Sequence, residues 1–291
     1  MFDSANLSSP IDLEILNGLP DAIVVVNQQA QPLYLNRQAK NFLLNHLDRL
    51  WRSEAGSEWQ VLDGQGRSLR EDQLPLRRIL RGDCLENEEL ILLDSRSSQD
   101  PLWIALSGGP CEHGGDVAGV LSVRNISIRK KQEASLHHQA LHDQLTGLPN
   151  RIFFIDQVNQ ILAQKRPDHS MAVLFMDLDR FKEVNDNLGH RVGNELLTQL
   201  GERLQCQVTM AHTIARLGGD EFAILLENLS GAGMAMTIAE QLREAIIQPF
   251  LLHQYEVYID ASIGIALGPT QYQNAEDWLR DADAEIGRAH V

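Results

Sequence analysis

Two short acidic segments carry the chemistry open to this chain. The first is Arg216-Leu217-Gly218-Gly219-Asp220-Glu221-Phe222. An apolar, β-rich run from Thr213 to Leu217 enters it and a second, from Phe222 to Leu226, leaves it, so the spacing predicts a hairpin with two glycines and two acids at its tip. Glycine supplies the positive φ of such a turn and lets a backbone or a phosphate come close. The second segment is Asp177-Leu178-Asp179, at the end of Met171 to Met176, a buried strand in pattern. Neighbouring carboxylates repel unless something positive lies nearby. If strand and hairpin pair side by side, Asp177 and Glu221 can share a divalent cation. Mg²⁺ fits best, because a few hard oxygen ligands plus substrate phosphates are its usual shell.

The elements that must position these acids read as follows. Leu196, Leu197, Leu200, Leu204 and Val208 mark the core face of a helix over 194–208, and 234–247 reads as another. A long strand is expected over 257–267. Strand, helix, hairpin, helix, strand is the alternation of an α/β sandwich. Upstream, a short helix (11–18) is broken by Leu19-Pro20-Asp21. Strands over 22–27 and 33–36 form a hairpin, a helix covers 37–47, and three strand-like runs lie at 89–93, 102–107 and 117–124. That order suggests a separate α+β domain over 10–125, one antiparallel sheet with helices on one face. A charged, helix-favouring segment from Ile128 to Leu145 follows, its apolar face too thin for a strong coiled coil but suited to pairing in a dimer.

Composition bounds the partners. With 291 residues there is room for two domains. A formal net charge of −15 argues against a nucleic-acid surface, so an anionic nucleotide would need a metal and a few placed cations. Cys84, Cys111 and Cys206 lack metal-binding spacing and read as reduced, buried thiols of a cytoplasmic protein. No signal peptide or membrane-length apolar run is present in the sequence. His137, His138 and His142 read as a solvated face, since two histidines one turn apart fall short of a zinc site.

Four blocks in order, Asp143-Gln-Leu-Thr-Gly-Leu-Pro-Asn-Arg151, Met176-Asp-Leu-Asp-Arg-Phe-Lys-Glu-Val-Asn-Asp-Asn-Leu-Gly-His190, Arg216 to Phe222 and Ser262-Ile-Gly-Ile-Ala266, resemble those of a GGDEF domain, the diguanylate cyclase family. The resemblance covers 143–291 and implies a fold similar to the palm of nucleotide cyclases and polymerases. The segment 10–125, with Leu74 to Gly82 and the exit Val123 to Lys130, resembles a PAS sensor, joined by a linker helix at 126–142. Asn125 stands where that exit motif commonly has Asp, which is expected to weaken the tie between last strand and linker. No haem-ligand or flavin-attachment pattern identifies the sensor ligand, and His46 and His113 read as surface.

What the resemblance implies is condensation of two GTP molecules into cyclic di-GMP and pyrophosphate by a homodimer using Mg²⁺, or Mn²⁺ in its place. Asp177 and Glu221 match the metal carboxylates, the backbone carbonyl of Leu178 a further ligand, and Asp220 the residue that helps deprotonate the attacking 3′-hydroxyl; a metal can also do that itself. Gly218 and Gly219 let the hairpin pass close to the nucleotide, with Lys182 and Arg216 as cations near the phosphates. Asn185 matches the guanine-binding residue, and its usual companion, an Asp, is here Asn194. Exchanging that carboxylate for an amide is expected to cost about 1–2 kcal/mol, or roughly ten- to thirtyfold in GTP affinity. Thr209-Met-Ala-His212 replaces the Arg-x-x-Asp of a product-inhibition site, so no feedback by that route is expected. Asp281-Ala-Asp-Ala284 runs into Glu285-Ile-Gly-Arg-Ala-His-Val291 without the family's phosphate-binding lysine, and roughly a turn and a half of helix is missing, through a deletion or an early end. The competing readings are a GTP-binding module without turnover, and the front of a longer protein with a phosphodiesterase domain behind it.

Overall fold

The computed structural model describes residues 10–43, 59–94, 100–111, 117–164, 170–208 and 212–289. His46, His113, most of Thr209-Met-Ala-His212 and the last two residues lie outside them. The chain divides into two compact units, Met1–Ala134 and Ser135–Val291.

In the first unit, α1 (Pro10–Gly18) precedes a hairpin of β1 (Ala22–Asn27) and β2 (Pro32–Leu35). Asn27 shapes its turn, the side-chain oxygen accepting from the amides of Gln29 and Gln31 at 3.0 and 2.8 Å. After α2 (Arg37–Leu43) come β3 (Trp59–Asp63), α3 (Pro75–Leu80), β4 (Leu85–Asp94), β5 (Leu102–Pro110) and β6 (Val117–Asn125). The six strands form one antiparallel sheet in the order β2-β1-β6-β5-β4-β3. Ala39 of α2 and Leu76 and Ile79 of α3 cover one face, packed on Val24, Val26, Ile104, Leu106, Leu121 and Val123. The expected sheet is thus present, with β3 and a longer β4 added to it.

The fully buried Asn36 ties this unit together. Its oxygen accepts from the amides of Ile23 (3.0 Å) and Ala39 (2.8 Å), and its nitrogen donates to the carbonyls of Leu16 and Asp21 at 2.9 Å. One side chain thereby joins α1, β1 and the start of α2, with its whole hydrogen-bonding capacity used. Asn36→Ala leaves four main-chain groups, two buried and two part-buried, without this partner and should destabilise the unit by about 3 kcal/mol, read as a lower denaturant midpoint at unchanged slope.

The exit toward α4 (Ser127–Leu141) is tighter than expected. Asn125 accepts from the amide of Ser127 at 2.9 Å, and Ser127 Oγ accepts from the amide of Trp103 at 2.9 Å. Arg129 and Lys130 both reach Glu89, at 2.6 Å. Asn125 thus shapes the start of the helix locally, while Ser127, Arg129 and Lys130 tie it to the neighbouring strands. The helix stops at Leu141 rather than running to Leu145, because Asp143 turns the chain: the Thr146 amide and hydroxyl donate to its carboxylate at 2.9 and 2.7 Å, and Gly147 donates to its carbonyl at 2.9 Å.

The second unit is built on β7 (Ser170–Asp179), β8 (Thr213–Gly218), β9 (Glu221–Leu229) and β12 (Asp260–Gly268), an antiparallel sheet ordered β12-β7-β9-β8. Alternate residues of each strand feed two cores. Leu174, Met176, Ile224 and Leu226 pack with α6 (Phe181–Leu188), α7 (His190–Gln207) and α8 (Ala232–Ile246). Val173, Phe175, Ala223 and Leu225 pack with α5 (Arg151–Ala163) and α9 (Ala275–Ala289). This is the expected sandwich, with α5, α6, α9 and a small hairpin of β10 (Phe250–Leu252) and β11 (Tyr255–Val257) beyond the elements expected. The strand expected over 257–267 is accordingly two strands separated at Tyr258 and Ile259. At Gly264 of β12, a Cβ would lie 1.9 Å from the Ala282 carbonyl oxygen, so the main chain of α9 rests directly on the strand.

Candidate active site

The register of the sheet brings the two acidic segments together. Asp177 on β7 is the direct antiparallel partner of Glu221 on β9, so both side chains leave the same face of the sheet. Between β8 and β9 the hairpin closes through Gly219 and Asp220, with Gly218 opposite Glu221. Gly218 and Gly219 take φ of 144° and 54°, values that a side chain would strain. Asp177, Asp220 and Glu221 are each half-buried.

These acids act on one another. The Asp177 carboxyl is pushed above its ordinary value, first by burial and then by the charges of Asp220, Glu221, Asp179 and Asp283. Asp179 accepts a hydrogen bond from the Ser262 hydroxyl at 2.8 Å, while Asp283 arrives from α9. Among the described residues no three His, Cys, Asp or Glu side chains form a ready-made metal cage. The site offers two facing carboxylates, which suits an ion that takes few protein ligands and completes its shell with phosphate oxygens.

Arg216 does something other than expected. Its Nη1 donates to both carboxylate oxygens of Asp143, at 2.9 and 3.0 Å, while Nε and Nη2 donate to the Gly219 carbonyl at 3.1 and 2.7 Å. The guanidinium side chain is 10% exposed and the Asp143 side chain 22%. These four bonds, from a group with five N–H donors, fasten the hairpin tip to the turn before α5, so the contacts Arg216 makes are to protein groups rather than the phosphate contact expected. Burial pushes the Asp143 carboxyl up, but hydrogen bonds from Arg216 and Thr146 outweigh it and hold the group below the usual carboxylate range. Sequence reasoning missed this pairing, because nothing local links an Arg and an Asp that lie in separate blocks of matching residues.

The remaining site residues lie on α6 and α7. Lys182 is exposed in the first turn of α6, Asn185 is half-buried one turn on, and Asn194 is exposed near the start of α7. His138 and His142 stack face to face, ring centroids 3.8 Å apart, and His142 Nδ1 lies 3.0 Å from the His138 carbonyl. The three cysteines are free, but not buried: Cys84 and Cys206 are exposed and Cys111 is half-buried. No described helix is long and apolar enough to cross a membrane.

A sandwich with paired acids on neighbouring strands and a glycine hairpin beside them is the architecture to which the residue blocks point. The family model described as "Diguanylate cyclase, GGDEF domain" matches residues 140–290, and the chain belongs to that family. Over 151 residues it is 48% identical to the bifunctional diguanylate cyclase/cyclic di-GMP phosphodiesterase MucR of Pseudomonas aeruginosa, a match covering 52% of this chain and 22% of MucR. It is 42% identical over 154 residues to the diguanylate cyclase TpbB of the same organism, covering 52% of this chain and 35% of TpbB. The chain thus spans about a fifth to a third of the length of these relatives. The crystal structure of the coiled coil and GGDEF domain of DgcB from Caulobacter crescentus in complex with c-di-GMP shares the fold, with a TM-score of 0.52, 21% identity, and coverage of 57% of this chain and 88% of that one.

Proposed function

We propose that this chain is a sensor-regulated diguanylate cyclase, joining two GTP molecules into cyclic di-GMP with release of pyrophosphate. The observation that carries this reading is the pairing of Asp177 with Glu221, where burial and the surrounding acids together push the Asp177 carboxyl up. Asp177, Glu221 and the main-chain carbonyl of Leu178 would hold Mg²⁺, or Mn²⁺ in its place. When bound, the ion supplies charge neutralisation at the phosphates and a more acidic hydroxyl. Asp220, at the hairpin tip, takes the proton of the 3′-hydroxyl. Gly218 and Gly219 leave room for the nucleotide beside the main chain, and Lys182 meets the phosphates. Asn185 and Asn194 hold the base.

Each site holds one GTP, and the 3′-hydroxyl of each nucleotide must face the α-phosphate of the other, so the active form is a homodimer. Ile128 and Leu136 of α4, 75% and 65% exposed, give the linker an apolar surface that a second copy can cover. The first unit is a PAS-like sensor of unassigned ligand, a reading supported by its antiparallel sheet with α2 and α3 on one face. Its signal reaches the catalytic units through α4. The protein works in the cytoplasm, where GTP is.

The test is to incubate the purified chain with GTP and Mg²⁺ and to look for cyclic di-GMP, with an Asp220→Ala, Glu221→Ala double variant as control. Product from the parent chain alone supports the cyclase. GTP bound without product points instead to a regulatory module, such as one serving a phosphodiesterase domain. Absence of both overturns the reading.

A further inference from the structure

We propose that the base-reading end of this site accepts xanthine as well as guanine nucleotides, because the two side chains expected to read the base, Asn185 and Asn194, are both neutral amides. This rests on the nucleotide-binding reading above and deepens it. A Cβ at Gly193 would lie 2.0 Å from Asn185 Oδ1 and 3.0 Å from its Cγ. The missing side chain of Gly193 is therefore the seat of the Asn185 carboxamide, with the ring of Phe181 closing it at 3.3 Å. The next residue along α7 is Asn194, whose main-chain carbonyl takes the Thr198 hydroxyl at 3.1 Å. Among the described residues no hydrogen-bond partner is recorded for either amide side chain. The carboxylate that follows, Glu195, is 3.0 Å from His253 Nε2.

The chemistry of the base decides the rest. Guanine presents two donors on this edge, N1–H and the C2 amino group, and a carboxylate can accept from both. Xanthine keeps N1–H but has a carbonyl at C2, which a carboxylate repels. An amide carries one acceptor and one donor: its oxygen takes N1–H and its NH₂ donates to the C2 carbonyl. It is complementary to xanthine and leaves one guanine donor facing an N–H.

The experiment measures dissociation constants of GTP, XTP and ATP for the full chain with Mg²⁺ by calorimetry, together with pyrophosphate release. The parent chain should bind XTP within about threefold of GTP, and Asn194→Asp should shift the GTP-to-XTP ratio by at least about thirtyfold toward GTP. Gly193→Ala, which displaces Asn185, should weaken both nucleotides alike. A parent chain that turns over GTP yet rejects XTP by more than about a hundredfold overturns the proposal and leaves the cyclase reading standing. So does a ratio that Asn194→Asp leaves unmoved. Failure of both variants and the parent to bind any of the three nucleotides overturns both.

Discussion

Asp177→Asn should raise the melting temperature of the metal-free protein while lowering cyclic di-GMP formation on the order of 10³-fold. The two effects have one origin. A carboxyl whose folded value lies above its unfolded one costs stability once ionised, so at neutral pH the charge of Asp177 works against the fold. Asparagine keeps the shape and removes the repulsion from Asp220, Glu221, Asp179 and Asp283. A gain of about 1 kcal/mol, or about 2–4 °C in a unit of this size, is expected. The same change removes an oxygen that would grip the cation. Mg²⁺ at a hundredfold excess over its dissociation constant should stabilise the parent protein by about 2.7 kcal/mol and leave Asp177→Asn unmoved. Thermal unfolding of both proteins with and without Mg²⁺ decides it, and a variant that keeps the Mg²⁺-dependent shift would show that the ion is held elsewhere.

Arg216→Met is expected to destabilise the second unit by about 3 kcal/mol, and Arg216→Lys to recover little of it. Methionine fills the same space, but leaves the largely buried Asp143 carboxylate without its partner and the Gly219 carbonyl without two donors. Lysine offers one point charge and cannot serve both ends of the clamp. A signature in pH separates this from loss of packing. The folded Asp143 value is depressed, so its contribution is present above the unfolded value of about 3.9 and lost as pH falls through the lower folded value. The parent protein should therefore lose this stability in acid, below about pH 4, and Arg216→Met should lose less over the same range. Denaturant midpoints between neutral and acid pH measure both slopes; parallel slopes would show that the clamp contributes nothing through charge.

The frame of the second unit was legible because its strands repeat with period two and its helices with a wide apolar stripe. The Leu196, Leu197, Leu200 and Leu204 face is buried as its spacing requires. The hairpin was legible for a different reason, since a Gly-Gly pair between two β-branched runs leaves little choice of turn. The β10–β11 pair escaped notice, because three-residue strands carry too few residues for a period. Asn36 looked like an ordinary strand end; its role is set by four main-chain groups that converge on it from distant parts of the unit. Arg216 was expected near a phosphate because the resemblance implies a cation there, and no local pattern reveals a partner 73 residues away. At Asn125 the expectation concerned one side chain, whereas the ties to the sheet run through Ser127, Arg129 and Lys130, which no local pattern marks.

The seat of α9 on Gly264 bears on where this active site can yield. With the Ala282 carbonyl lying against a strand that has no side chain there, no rotamer change can let the helix slide. The main-chain contact at Gly264 therefore sets how closely the helix that carries Asp283 can approach the sheet. The hairpin tip of Gly218 and Gly219, by contrast, is held from outside by side-chain bonds from the Arg216 guanidinium to the Gly219 carbonyl. The acids are thus bounded by a main-chain wall on the helix side and by a side-chain clamp on the hairpin side.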